Sequence, residues 1–212
     1  MEASFWHERW QNQQIGFHRP QPHDMLCRYF KTFAKPGSLV FVPLCGKSND
    51  LIWLMAQGYR VFGVELSELA VAQLFEENGL TAEITQQGVF KQYVCGQLMV
   101  WVGDFFALTA QDLAEVDVWY DRAAMIALPP EMRSRYVKQL SEQLPPAAQG
   151  LLITLQYPVG FRQGPPFSVT EGEVESGFGQ RFSIEQLESD EGVINGTSTE
   201  ENPVTEHVYL LS

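Results

Sequence analysis

Little in this chain of 212 residues invites metal or disulfide chemistry. Its three cysteines, Cys27, Cys45 and Cys95, form no CxxC pair and are odd in number, so buried free thiols are expected rather than a disulfide framework or a zinc site. The four histidines, His7, His18, His23 and His207, lack HExxH or any i,i+4 spacing that would put two imidazoles on one helix face, and no protein-bound metal is expected. Basic residues are scarce as well: 14 Lys and Arg against 26 Asp and Glu leave a net charge of -12. That balance repels phosphate backbones and anionic lipid, which disfavours nucleic acid and membrane surfaces as partners. No apolar stretch approaches the roughly eighteen residues of a membrane span. Residues 1–10 are charged and amphipathic where a secretory signal would be apolar, so the cytoplasm is the expected location. Internal repeats and low-complexity linkers are missing too.

What is present is apolar and aromatic. Hydrophobic residues make up 45% of the chain and aromatic ones 12%, enough for a packed interior in one α/β domain spanning residues 1–212. Ser4 followed by Phe5-Trp6-His7-Glu8-Arg9-Trp10 reads as a short helix, and a second helix is expected from His23 to Phe33 before the Lys35-Pro36-Gly37 stop. Leu39 to Pro43 and Arg60 to Glu65 are short, continuous apolar runs of the kind buried in parallel sheets. Between and after them, Asn49 to Gln57 and a helix capped by Ser67 complete a βαβα unit. Phe90 to Cys95 and Leu98 to Val102 flank Gly96-Gln97 as a hairpin within an insertion. Further strands are expected at Val116 to Tyr120, Leu151 to Tyr157 and Val208 to Leu211, with helices over Pro130 to Leu144 and Thr170 to Phe178. The alternation predicts a doubly wound, mostly parallel sheet with helices on both faces.

Ligands of such sheets lie beyond the carboxyl ends of the strands, which directs attention to Leu44 to Lys47, Glu65, Asp104 and Asp121-Arg122. Glu65 ends the second strand at a spacing from Gly46 that suits an acidic residue meeting a ribose, and Asp104 follows the next long strand, where a carboxylate can accept from an adenine amino group. The plainer readings are a solvated strand-end glutamate and a turn aspartate. Cys45-Gly46-Lys47-Ser48 imitates the end of a phosphate-binding loop, but the first glycine of that motif would fall at Phe41, inside a strand. GxGxxG is missing as well, so a pyrophosphate has no close glycine approach. An adenosine ligand without phosphates fits these constraints.

Here the chain resembles a known family. Pro43-Leu44-Cys45-Gly46-Lys47, Gly63-Val64-Glu65-Leu66-Ser67-Glu68-Leu69, Asp121-Arg122-Ala123-Ala124 and Gly164-Pro165-Pro166-Phe167 are similar to motifs of the thiopurine S-methyltransferases. Trp6 to Trp10 and Ile15-Gly16-Phe17-His18 match in order and at similar spacing. The resemblance implies a seven-stranded, Rossmann-like methyltransferase fold that binds S-adenosylmethionine, with cofactor contacts at Trp10, Leu44, Glu65 and Arg122. It implies Phe17 as the aromatic residue over the bound substrate. The reaction implied is an in-line displacement at a sulfonium methyl by a sulfur or selenium nucleophile, where alignment and desolvation matter more than acid/base chemistry. Arg122 would steady an anionic thiol and is the catalytic candidate.

One departure bears on the acceptor. Mammalian members carry a further substrate-facing arginine in the C-terminal part, whereas this chain has no Lys or Arg after Arg181 and runs through Glu188, Asp190, Glu191, Glu200 and Glu201. Arg162 is the candidate substitute, and a small selenium or tellurium nucleophile stands beside thiopurine-like thiols as acceptor. The expected partner is therefore a small molecule, and the chain is expected to act as a monomer. Residues 1–22, with Trp6, Trp10 and Phe17, are expected to form a lid arm. A non-catalytic adenosine sensor and a nicotinamide oxidoreductase are the alternative classes; the aromatic wall speaks against the first and the missing pyrophosphate turn against the second.

Overall fold

The computed structural model describes residues 3–191 and 203–212, so Glu200 and Glu201 lie outside the described residues. Its elements, in chain order, begin with helices α1 (Ala3–Gln11) and α2 (Asp24–Phe33). The βαβα unit follows as β1 (Leu39–Pro43), α3 (Asn49–Ala56), β2 (Arg60–Glu65) and α4 (Glu68–Glu77). Three strands come next: β3 (Glu83–Gln87), β4 (Phe90–Cys95) and β5 (Leu98–Val102). A 3-10 turn at Phe105–Ala107 precedes β6 (Val118–Arg122), and a second at Met125–Ala127 precedes α5 (Pro130–Gln143). The remainder is β7 (Gln149–Gln156), α6 (Glu171–Phe178), β8 (Ile184–Glu191) and β9 (Thr205–Leu211).

Local chemistry sets the helix starts. Ser48, Ser67 and Thr170 sit in extended conformation at the N-caps of α3, α4 and α6, and each side chain accepts a backbone N–H from the first turn. His23 caps α2 rather than joining it, its Nδ1 accepting from Met25 N. Pro130 opens α5, where its missing N–H costs nothing.

The chain divides into two compact units, residues 1–119 and 120–212. In the first, the strand order is β3-β4-β5-β2-β1, and β1 continues into parallel pairing with the start of β6 through Val40 and Val118. β1 with β2 and β2 with β5 are also parallel, whereas β3-β4 and β4-β5 are antiparallel. The hairpin expected as an insertion is therefore built differently: β5 belongs to the parallel core beside β2, and only β3 and β4 are added at the edge. In the second unit the order is β6-β7-β9-β8, with β9 antiparallel to both β7 and β8. β5, β2, β1, β6, β7, β9 and β8 account for the seven strands expected, and β3 and β4 are extra. The fold is the doubly wound, Rossmann-like sheet that the alternation predicts.

The core of the first unit is aromatic. Phe41 and Phe62 meet across β1 and β2 with centroids 5.3 Å apart, Phe62 meets Trp101 at 4.8 Å, and Trp101 meets Phe90 at 5.1 Å. Beside them Gly63 is small for a reason: a Cβ there would stand 2.8 Å from Cys45 Sγ and 3.2 Å from Leu51 Cδ2. Gly63→Ala should thus overpack the β2 face and cost about 1–3 kcal/mol. Adding Cys45→Ala should return part of that loss, giving a favourable coupling of at least about 0.5 kcal/mol in a urea-denaturation double-mutant cycle. Strict additivity of the two changes would show that the thiol is not the obstacle.

Candidate active site

Glu65 closes β2 and is buried, which is costly for a carboxylate unless hydrogen bonds replace its water. The chain meets that demand with backbone. Gly46 N donates to Glu65 Oε2 at 2.8 Å and Ser67 N donates to Oε1 at 2.8 Å. Burial pushes the Glu65 carboxyl above its ordinary range, opposed by the N–H groups of Ser67, Gly46 and Leu66. Each oxygen keeps lone pairs, because an ionised carboxylate offers about four acceptor sites.

The loop that presents Gly46 is bent by two left-handed residues, Leu44 at φ 47° and Gly46 at φ 54°. For Leu44 that conformation costs on the order of 1–2 kcal/mol. The outlier directly follows the carboxyl end of β1. Cys45, between them, is buried with its thiol pushed well above the usual range by desolvation and then by the neighbouring Glu65. It is a packing group and not a nucleophile. Lys47 turns away to α4, where Nζ pairs with Glu77 Oε1 at 2.6 Å.

Trp10 of α1 seats on this loop. A Cβ on Gly46 would stand 3.0 Å from Trp10 Cζ2, so only glycine leaves room for the indole. Phe17 stands edge-on to Trp10 at 5.5 Å and to Trp6 at 6.1 Å. Farther along, Asn49 Nδ2 donates to Arg19 O at 3.0 Å and His23 N donates to Asp50 Oδ1 at 2.7 Å, fixing the arm's end to the start of α3. Asp104 is exposed and accepts from Phe106 N at 2.9 Å, capping the 3-10 turn after β5.

In the second unit, Arg122 is the last residue of β6 and half-buried. Ala123 after it is left-handed at φ 66°. Asp121 is buried: Oδ1 accepts from Ala124 N at 3.2 Å and Met125 N at 3.1 Å, and Oδ2 accepts from Tyr136 Oη at 2.6 Å. Past β7, the Arg162 guanidinium lies 5.2 Å from the Phe161 ring centroid, and Tyr157 Oη donates to Pro166 O at 2.7 Å. Phe167 N donates to Ile126 O at 2.6 Å, so the Gly164-Pro165-Pro166-Phe167 segment is held against the turn that follows Arg122.

The thiopurine S-methyltransferase (TPMT) family profile matches residues 1–212. The chain belongs to the thiopurine S-methyltransferase family. A thiopurine S-methyltransferase of Pseudomonas entomophila is 50% identical over 189 residues, covering 89% of this chain and 87% of the relative. Another, from Pseudomonas putida, is 47% identical with all of both chains covered. Among solved structures, magnesium protoporphyrin IX methyltransferase from Synechocystis, crystallised with S-adenosylhomocysteine, superposes with a TM-score of 0.65 at 15% identity over the whole of both chains. That likeness is one of fold. As a thiopurine-type methyltransferase, this protein uses S-adenosylmethionine as its cofactor.

The donor set suits that cofactor. Of the residues singled out in the sequence, the first unit brings Trp10, Phe17, Leu44 and Glu65 together around Gly46, while Asp104 stands on the following strand end as a turn cap. A buried carboxylate and indole and phenyl rings recognise a nucleoside and a cationic sulfonium. A triphosphate finds no cradle, because the Gly46 N–H is committed to Glu65 and the Lys47 ammonium to Glu77. Arg122, at the end of β6, and Arg162, beside Phe161, belong to the second unit. The hydroxyl of Ser67 caps α4 as the sequence leads one to expect, but two roles escaped sequence reading: the Ser67 N–H that holds Glu65, and Tyr136, fifteen positions beyond the carboxylate it serves. A serine after a strand-end acid signals the first; nothing in the sequence signals the second.

Glu65→Gln replaces one acceptor oxygen by an NH2 that would face a backbone N–H. S-adenosylhomocysteine affinity, measured by calorimetry on the folded variant, should drop about ten- to a hundredfold, the equivalent of roughly 1.5–3 kcal/mol. Unchanged affinity would remove Glu65 from the cofactor site.

Proposed function

We propose that this family member binds S-adenosylmethionine through Trp10, Leu44, Glu65 and Asp104 of the first unit and Arg122 of the second, and methylates an aromatic or heterocyclic thiol or a small selenium or tellurium nucleophile. The observation that carries this reading is the buried Glu65 carboxylate held by the Gly46 and Ser67 amides, with the Trp10 ring seated on Gly46. When bound, S-adenosylmethionine supplies a methyl group already activated for transfer. The chain's own residues therefore have three tasks: to fix the acceptor, to favour its anionic form and to keep water out.

Phe17 offers the acceptor an aromatic wall, braced edge-on by Trp6 and Trp10. Arg122 favours a thiolate or selenolate through its permanent charge and planar donor fork. Arg162, set against Phe161, is the second cation for an anionic acceptor and takes the place of the C-terminal arginine of mammalian members. The arm of residues 1–22 acts as a lid: its far end is tied to Asn49 and Asp50, and its Trp10 covers the Gly46 loop.

Two measurements test these assignments. Arg122→Lys should keep the fold and lose more turnover with anionic aromatic thiols than with neutral acceptors, because an ammonium is a point charge without the guanidinium's fork. Equal losses across a panel of aromatic thiols, selenite, tellurite and small amines would deny it the acceptor role. Deleting residues 1–22 should leave a cooperatively melting domain that binds S-adenosylhomocysteine weakly and turns over slowly. Normal turnover would refute the lid, and loss of the cooperative melt would make the arm part of the core.

A further inference from the structure

The strongest unassigned feature is the buried carboxylate next to Arg122. Asp121 is fully buried in the last turn-forming stretch of β6, and a buried charge needs specific partners to stay. It has three. Oδ1 gathers two consecutive amides, Ala124 N and Met125 N, at 3.2 and 3.1 Å. Oδ2 takes the Tyr136 hydroxyl at 2.6 Å from α5, where Tyr136 is itself buried. Between the carboxylate and those amides lie Arg122 and Ala123, the latter in the left-handed conformation that a non-glycine residue adopts only when its surroundings impose it. The bonds from Asp121 thus close a four-residue loop whose first member after the aspartate is Arg122. The direction in which β6 delivers the arginine is set by that closure.

We propose that Asp121 is a positioning residue for the methyl-transfer site: its ionised carboxylate, anchored by Tyr136, clamps the turn that aims Arg122. The inference rests on the assignment of Arg122 to the site. Charge-assisted bonds to backbone amides are roughly twice as strong as neutral ones, so the clamp is firm only while Asp121 is ionised. Burial pushes the Asp121 carboxyl up to about 6, against the lowering effect of Tyr136 and the two amides. Tyr136, from α5, is the titratable group that meets Asp121, and burial and the adjacent carboxylate push its phenol well above the usual range, so it remains a neutral donor. Arg122 follows Asp121 in the strand. A carboxyl that titrates in this range loosens the turn on mild acidification.

The sign follows from which form is clamped. As pH falls through the Asp121 value, the proton goes to the carboxyl, the two amide bonds weaken and methyl transfer declines; as pH rises, activity is restored. Removing the Tyr136 hydroxyl takes away a donor that favours the ionised form, so the midpoint moves upward.

The test uses the full chain with Tyr136→Phe, Asp121→Asn and Arg122→Ala variants. In protein without cofactor, the amide resonances of Ala124 and Met125 should titrate together with a midpoint near 6, at higher pH in Tyr136→Phe, and not at all in Asp121→Asn. In turnover, the acid limb of kcat should share that midpoint and its upward shift. Two aromatic-thiol acceptors of different thiol pKa separate this limb from ionisation of the acceptor. Asp121→Asn, whose fold is checked by its melt, should lose at least tenfold in kcat and show no acid limb that shifts with Tyr136. A lower melting temperature in Tyr136→Phe with the amide titration and the acid limb unmoved would leave Asp121 a merely structural group and overturn the proposal. Full turnover by Arg122→Ala would overturn both the proposal and the assignment beneath it, whereas an inactive Arg122→Ala beside an unmoved limb would sink the positioning role alone.

Discussion

The first unit is organised around a carboxylate that has given up bulk water for backbone amides. Glu65 is placed at the end of a buried strand, where desolvation would favour its neutral form, and the two loops that flank it each supply one N–H. Several features follow from this single demand. Gly46 must turn its amide inward, which requires the left-handed bend at Leu44 and Gly46; the bend leaves the glycine's outer face bare, and Trp10 occupies it. Ser67 must be extended to present its own amide, and an extended serine before a helix is already an N-cap, so the same residue starts α4. Placement of the buried carboxylate and helix initiation share one hydrogen-bonded knot.

The second unit repeats the device with different parts. Asp121 is the penultimate residue of its strand and also takes amides from the following turn, but a phenol replaces one loop. In both places a strained, non-glycine left-handed residue lies next to a strand end, Leu44 in one and Ala123 in the other. Strain that local sequence would not choose persists because a buried charge has no cheaper way to be satisfied. Preorganisation of this sort suits a reaction in which the electrophile arrives activated and the protein contributes mainly alignment.

Much of this was legible in the residues, and the exceptions have physical causes. β1 and β2 fall on their apolar runs, because strands covered on both faces keep polar residues to their ends, as with Arg60 and Glu65, and they follow the breaks at Pro36-Gly37 and Gly58. β3 and β8 were missed because Glu-Ile-Thr-Gln-Gln and Ile-Glu-Gln-Leu-Glu-Ser-Asp-Glu carry no buried stripe; both are terminal in their strand orders, and an edge strand is held by its neighbour's backbone rather than by its own side chains. β6 was expected two residues early. Val116 belongs to the preceding turn, and Asp117 spends its carboxylate on Leu39 N at 2.8 Å, so pairing with β1 begins at Val118 and carries Asp121 and Arg122 into the strand end. Glu65 could be read from its place after an apolar run. The Tyr136 bond to Asp121 could not, since contacts between a strand end and the middle of a later helix leave no periodic trace in sequence.

The ion pair between Lys47 and Glu77 bears on how short motifs are interpreted. Four residues here spell the tail of a nucleotide-triphosphate loop, yet the lysine side chain is 9% exposed and its ammonium already matched by an acid thirty positions downstream. A glycine-lysine-serine string is thus ambiguous until the neutralising carboxylate, or its absence, is known. Here the discriminating residue is the last of α4: the Glu77 carboxylate makes the lysine a fastener, whereas a loop with no such counter-charge would keep its cation for a guest.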